Sequence, residues 1–262
     1  MKKIYILSLI LISLFFTSCE IKEEITINKD GSGEVFYNYD LSKVIEDFDN
    51  NSKPKKDFKK PLDTIYDFNQ LINNPKFKDS IASLTPEKKK MIESLKNMKM
   101  KMVMDEANKK MEFGFGFTFK NIDSLKNMFD KIQNAQQFTS NKNQTQMVKN
   151  KPFYKELSGT NQTLSYHYNG KIFKRMAKLK KPRTEEEEKK IEKDLKANDK
   201  IKTLFDNLKY TIILHFPKKI KKVNVKNAVF SKDKKTVTIK YGLGTYLKNP
   251  EKLNLVVKLA KK

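Results

Sequence analysis

The stretch MKMKMVMDEANKKMEFGFGFTF, Met98 to Phe119, decides the fold. Met98, Met100, Met102 and Met104 alternate with Lys99, Lys101 and Val103. After a polar turn, Met111, Phe113, Phe115, Phe117 and Phe119 alternate with Glu112, Gly114, Gly116 and Thr118. A period of two is that of a strand, whose successive side chains point to opposite faces. A hairpin pairing Met104 with Met111 sets Met102 against Phe113, Met100 against Phe115 and Met98 against Phe117, all on one side. The same register opposes Asp105 to Lys110 and Glu106 to Lys109, so the charges agree with it. The apolar face has two readings. It packs against helices, or it walls a cavity for a lipid or other apolar ligand, because methionine-rich walls adapt to varied shapes. Gly114 and Gly116 leave the opposite face bare, which permits another backbone to approach.

Outward from this hairpin the same alphabet recurs. Ile21, Ile25 and Ile27 alternate with polar residues, as do Val35, Tyr37 and Tyr39. A register of Ile27 with Val35, Ile25 with Tyr37 and Ile21 with Leu41 gives one apolar face, and Asp30-Gly31-Ser32-Gly33 closes the turn. Asn28, Asp30, Ser32, Gly33 and Val35 also fall at positions 1, 3, 5, 6 and 8 of a calcium loop. Position 12 is then Tyr39, where a bidentate Glu is needed, and the flanks have strand period, so the turn is the better reading. A short helix is expected at 42–48 and another at 63–72. Thr85 caps a third that opens on Pro86. Residues 121–135, with Ile122, Leu125, Met128, Phe129 and Ile132 on one stripe, read as an amphipathic helix. Strand-turn-strand-helix thus occurs twice, at 21–48 and 98–135.

A third hairpin is expected to turn at Asn169-Gly170 in type I′ geometry. Thr184 and Glu187 make a capping box that opens a helix running to about 208. The tail reads as strand and turn throughout. It has a strand ended by Pro217, two strands around Ser231 to Lys234, and a last strand near the C-terminus. The predicted fold is α+β, with antiparallel sheets of hairpins and amphipathic helices packed on one face. Residues 19–136 form a first region, 137–152 a polar linker and 153–262 a second region, which either stands alone or joins the first in one domain.

The opening MKKIYILSLILISLFFTSCE has Lys2 and Lys3, then an apolar run from Ile4 to Phe16. A spanning helix needs roughly 20 apolar residues, so residues 1–18 fit a cleaved signal peptide better. Phe16-Thr17-Ser18-Cys19 resembles the lipobox of bacterial lipoproteins, with Phe where Leu is usual. The resemblance implies cleavage before Cys19, acylation of its thiol, including by palmitate, and attachment to a membrane. Cys19 is the single cysteine of the chain. A lone cysteine has no internal disulfide partner, and acylation accounts for it. Glu20 stands where an aspartate resembles an inner-membrane retention signal, which favours the outer membrane. Ile21 to Glu24 (IKEE) is similar to the export tags of some surface lipoproteins, so surface exposure is a further option.

The formal net charge is +24. That invites an anionic partner. Of the 55 basic residues only Arg175 and Arg183 are arginine. Nucleic-acid sites rely on arginine for bidentate contacts, so nucleic acid is a poor fit. Dispersed solvated lysine, or contact with anionic headgroups or an envelope polymer, remains. No cofactor is implied. His167 and His215 share no metal-ligand spacing with Asp or Glu, so no metal site is expected and both read as strand residues. Ser52 and Ser231 begin S-x-x-K matches, but one lies in a linker and one in a turn, without the helix that motif needs. No G-x-S-x-G, Walker loop or dinucleotide fingerprint occurs, so no enzyme is expected.

Three stretches carry a wider resemblance. They are EEITINKDGSGEVFYNYDLS just after the cysteine, DSIASLTPEKKKMIESLKNMKMKMVMD, and YTIILHFPKKIKKVNVKNAVFSKDKKTVTIKY. Together they resemble a family of bacterial lipoproteins with an LppM-like domain. The resemblance implies an α+β domain facing the envelope and carries no catalytic residues. The expected role is non-enzymatic, binding a protein partner or an anionic envelope polymer. The alternative is a carrier of an apolar ligand on Met98, Met100, Met102, Met104, Met111, Phe113, Phe115, Phe117 and Phe119.

Overall fold

The computed structural model describes residues 20–42, 61–105, 107–125, 162–196 and 208–261. Cys19, the signal segment, the linker 137–152, nearly all of the helix expected at 42–48 and most of that at 121–135 lie outside them. The fold is α+β, an eight-stranded and a four-stranded sheet facing each other across one core.

β1 (Glu20–Ile27) and β2 (Gly33–Asp40) form the first hairpin. Its register differs from the expected one by a slip of two: Ile25 faces Val35 and Ile21 faces Tyr39. The turn is the cause. It spans Asn28 to Ser32 and is closed by the Asn28 amide donating to the Ser32 carbonyl at 2.8 Å. The Asp30 carboxylate accepts from the Ser32 amide and hydroxyl, and Gly31 takes φ +85°. Ser32 is held in the loop, so Gly33 pairs with Ile27. An even slip preserves the alternation, and Ile21, Ile25, Ile27, Val35 and Tyr37 still face the core.

The helix expected at 63–72 is half strand. β3 (Leu62–Asp67) pairs with β4 (Met98–Asp105), and α1 (Phe68–Ile72) begins only where Asp67 accepts from the Asn69 and Gln70 amides. Thr64, Ile65 and Tyr66 favour a strand beside the edge that β4 offers. α2 (Pro75–Ala82) and α3 (Pro86–Ser94) each open on a proline behind a capping side chain, Asn74 and Thr85. β5 (Lys110–Phe119) meets β4 in the expected register, Met104 to Met111 and Met98 to Phe117. The glycines of its outer face are not bare. The Phe36 ring of β2 lies so close that a Cβ on Gly116 would stand 2.3 Å from it. An aromatic ring occupies the place expected for a backbone.

Ile122–Leu125 is a 3-10 turn where an α-helix was expected to start, with Ile122 and Leu125 buried. β6 (Gln162–Tyr168) and β7 (Ile172–Leu179) form the hairpin read around Asn169-Gly170. Gly170 takes φ +81°, but Asn169 is not left-handed, so the turn is not type I′. The Asn169 side chain accepts from the Lys171 and Ile172 amides instead and holds the bend from outside it. The capping box forms as expected. Thr184 and Glu187 exchange bonds of 3.0 and 3.2 Å and open α4 (Glu185–Lys196).

β8 (Lys209–His215) follows the expected pattern. Beyond it the structure departs from the sequence reading. The strand expected from Ile220 to Phe230 is two strands in two sheets. β9 (Ile220–Val223) belongs to the small sheet, and β10 (Ala228–Phe230) pairs with β11 (Thr236–Gly242) in the large one. Asn224 makes the break by binding the backbone of Asn254 and Val256. The tail is also partly helical, with α5 (Leu243–Lys248) and a 3-10 turn at Pro250–Leu253 before β12 (Leu255–Leu259).

The large sheet runs β10-β11-β8-β1-β2-β5-β4-β3 and the small one β6-β7-β12-β9. β1 pairs with β8 in parallel, Ile21 beside Tyr210 and Ile25 beside Leu214. One sheet thus takes strands from both sides of residues 137–152, and all but one of its pairings are antiparallel.

Glu23 stands in the apolar phase of β1, between Ile21 and Ile25, and is fully buried. Arg175 of β7 faces it, with Nε donating to Glu23 Oε1 at 2.8 Å and Nη2 to Oε2 at 2.7 Å. The Tyr166 and Tyr210 hydroxyls donate to the same carboxylate, Tyr37 bonds Tyr166, and Arg175 Nη1 donates to the Leu253 carbonyl. Burial alone would favour a neutral Arg175, but the Glu23 charge outweighs it and holds the guanidinium protonated. Burial, then Glu23, pushes the Tyr37 and Tyr166 hydroxyls well above their ordinary range. Removing one member of a buried pair strands the other at a cost of about 3–5 kcal/mol, whereas apolar replacement of both is often near neutral. Glu23→Leu or Arg175→Met alone should therefore cost about 3–5 kcal/mol in urea unfolding followed by circular dichroism. The double substitution should cost much less than either. Strictly additive losses would mean that the two side chains are energetically independent.

Candidate functional site

Residues of the Met/Phe face share a side of the sheet but not an environment. Met98, Phe115, Phe117 and Phe119 are buried between the sheets. Met100, Met102, Met111 and Phe113 are half-buried, and Met104 is 37% exposed. The gradient follows the strands. The row Ile21, Tyr39, Phe113, Met102 is continued outward by Met111, Met104 and Leu62. The less buried part of the face therefore lies at the end of the sheet where Glu20, next to Cys19, begins β1.

The opposite face of this hairpin is ionic. Lys101 and Lys110 donate to Glu112 at 2.8 and 3.2 Å, and Lys99 pairs with Glu34. Burial would raise the Glu112 pKa, but the bonds from Lys101 and Lys110 outweigh it and leave the carboxyl below its ordinary value.

Both histidines lie on strands, as read, and each has a carboxylate partner distant in sequence. His167 Nδ1 is 2.8 Å from Asp123 Oδ2, while Asp123 Oδ1 accepts from the Tyr168 amide. His215 Nε2 is 2.8 Å from Glu24 and its Nδ1 is 2.9 Å from Thr236 Oγ1. The bond to His215 holds the Glu24 carboxyl down against the opposing effect of burial. Among the described residues no three His, Cys, Asp or Glu side chains gather as metal ligands. Ser231 sits in a turn and donates to Asp233. Ser52 lies outside the described residues.

An open site forms where turns meet at the far end of β1. It is a cleft of about 520 Å³, within the usual size of ligand pockets. Lys29 comes from the β1–β2 turn, Lys120 from the end of β5 and Lys218 from the turn after β8. Asp30, Tyr168 and Asn169 line it as well. The Asp30 corner closely follows Cys19 in sequence but not in space. β1 is an extended strand, so at about 3.3 Å a residue the corner stands about 25 Å from Glu20. No motif marks this site. Its lysines become neighbours only when three separate strands end together.

No family model and no curated protein matches the chain. Among solved structures it is similar to the folded domain of LppM from Mycobacterium tuberculosis, at 12% identity and a TM-score of 0.32, over 94% of this chain and 92% of that one. No family is shown for the resemblance read in the sequence.

Glu112 tests the ionic face. Its folded pKa lies below its ordinary 4.5, so the stability it adds is present above that value and lost as pH falls through the folded one. Glu112→Gln should lower stability by about 0.5–1 kcal/mol at pH 7, and the gap between its urea midpoint and that of the parent should close as pH falls below the ordinary carboxyl range.

Proposed function

We propose that the chain is a lipid-anchored protein of a bacterial envelope, acylated at Cys19, whose role is to bind a partner and not to catalyse. The observation that carries this is the start of β1 at Glu20, the residue after Cys19. An acyl group at Cys19 would join the sheet with almost no tether, at an interior strand with β2 on one side and β8 on the other. The membrane would then lie at one end of the strands and the turn-lined cleft at the other, turned toward whatever the domain meets. Among the described residues no helix is long and apolar enough to cross a membrane. Glu20 favours the outer membrane, and the high lysine content suits a protein or anionic polymer as partner. Replacing Cys19 by Ser should move the protein from the membrane to the soluble fraction and abolish incorporation of labelled palmitate. Undiminished label in the membrane fraction would refute the anchor.

A second reading rests on the gradient of the Met/Phe face. Met104, Met111 and Leu62 are incompletely covered at the Cys19 end, where acyl chains would be nearest. The face would then hold a lipid or other apolar ligand. Native mass spectrometry of protein released from membranes should find bound lipid that is lost in Met104→Lys. Ligand-free protein throughout would remove this reading.

A further inference from the structure

We propose that the cleft at the end of the strands is an anion site that grips the phosphate or carboxylate groups of an acidic polymer. This rests on the reading of the protein as a binding domain and gives that reading a place and a chemistry. Lys29, Lys120 and Lys218, which follow three separate strands, line one concavity. All three residues are exposed, and among the described residues none forms an ion pair with a carboxylate. The nearest bond is from Lys218 Nζ to the Gly170 carbonyl at 3.3 Å, which draws that lysine to the rim. Some lysines elsewhere are matched, as Lys99, Lys101 and Lys110 are by Glu34 and Glu112.

The rest of the lining favours the same sign. Asn121 and Asn169 each use their side-chain oxygen to accept backbone amides, of Asp123 in one case and of Lys171 and Ile172 in the other. What each amide has left to offer is its NH₂, a donor. Asp30 is the acid of the lining, and one of its oxygens already accepts from the Ser32 amide and hydroxyl. Those bonds hold its carboxyl below the ordinary range, so it stays charged and repels an anion at that edge. Three cations against one anion leave a surplus of positive charge. Lysine, a point charge with rotatable donors, suits oxyanions presented in varied orientations along a chain better than one fixed bidentate group. The opposite end of β1 carries the anchor, so a polymer held here would lie away from that membrane surface.

The test uses the full chain in detergent micelles at low salt, with inorganic polyphosphate as the phosphate probe, polygalacturonate as the carboxylate probe and dextran as the neutral control. Lys29→Gln, Lys120→Gln and Lys218→Gln together should weaken binding of the preferred acidic polymer at least about tenfold. Lys178→Gln, Lys209→Gln and Lys240→Gln remove the same charge from exposed residues elsewhere and should weaken it less than about threefold. Equal urea midpoints would confirm that both variants are folded. The better-bound polymer identifies the oxyanion. Equal losses in the two variants would overturn the cleft while leaving a binding role intact. Binding of dextran as tight as that of the acidic polymers, or no binding of either acid, would overturn the anionic ligand. Each result is read whether or not Cys19 proves to be the anchor.

Discussion

The buried bond between Glu23 and Arg175 is the constraint on which the two sheets depend. Apolar faces alone can slide over one another at little cost, because burial has no direction. A bidentate carboxylate–guanidinium pair does not slide, since both partners need two bonds at once. Here the pair joins β1 of one sheet to β7 of the other, and three tyrosines extend it to β2, β6 and β8. Five strands in two sheets are thereby held at one point. Aromatic packing then fills in around it, with Tyr37 stacked on Phe115 and Phe173 set edge-on to Phe216.

The two ends of the sandwich differ in kind. At the end where β1 starts, the strands carry methionine and leucine that their neighbours do not fully cover. At the other, the turns spend their polar side chains within themselves: Asn28 donates to the Ser32 hydroxyl, Asp30 accepts from the Ser32 amide, and Asn169 accepts from the Lys171 and Ile172 amides. Such turns are rigid without needing a core beneath them, so they can hold lysines around open space. The outer face of the β4–β5 hairpin is different again, a local net of matched charges laid across Gly114 and Gly116, with the Phe36 ring filling the gap.

Much of this was legible. Strict alternation in Met98–Phe119 fixed both strands and their register, because a turn of set length and two apolar faces leave one even pairing. The capping box at Thr184 and the proline-led helix at Pro86 were visible for the same reason, that they are local. The failures were mostly at a distance. The 63–72 segment has helical spacing, but β4 offers a strand partner that only the folded chain reveals. Ile220 to Phe230 reads as one strand until Asn224 turns it from one sheet to the other. Glu23 was hidden by counting apolar residues on β1, although its phase between Ile21 and Ile25, with Arg175 in phase on β7, was a usable signal of an inward pair. The cleft gave no signal, since Lys29, Lys120 and Lys218 are three unremarkable lysines among many.

The parallel contact between β1 and β8 has a kinetic consequence. β1 is made first of the described strands, and its parallel neighbour begins at Lys209. At about 5–20 residues a second, roughly 10–40 s of synthesis separate the two. Through that interval β1 has one open edge, and for most of it Glu23 also lacks the guanidinium that is made with β7. The β1–β2–β5–β4 hairpins can assemble early from near neighbours, but closure of the large sheet waits on a contact of very high sequence separation, the kind that folds slowly. An unpaired strand edge is a template for the wrong partner during the wait. The order of synthesis, more than the strength of the finished core, therefore sets the stage at which this chain is most exposed to misassembly.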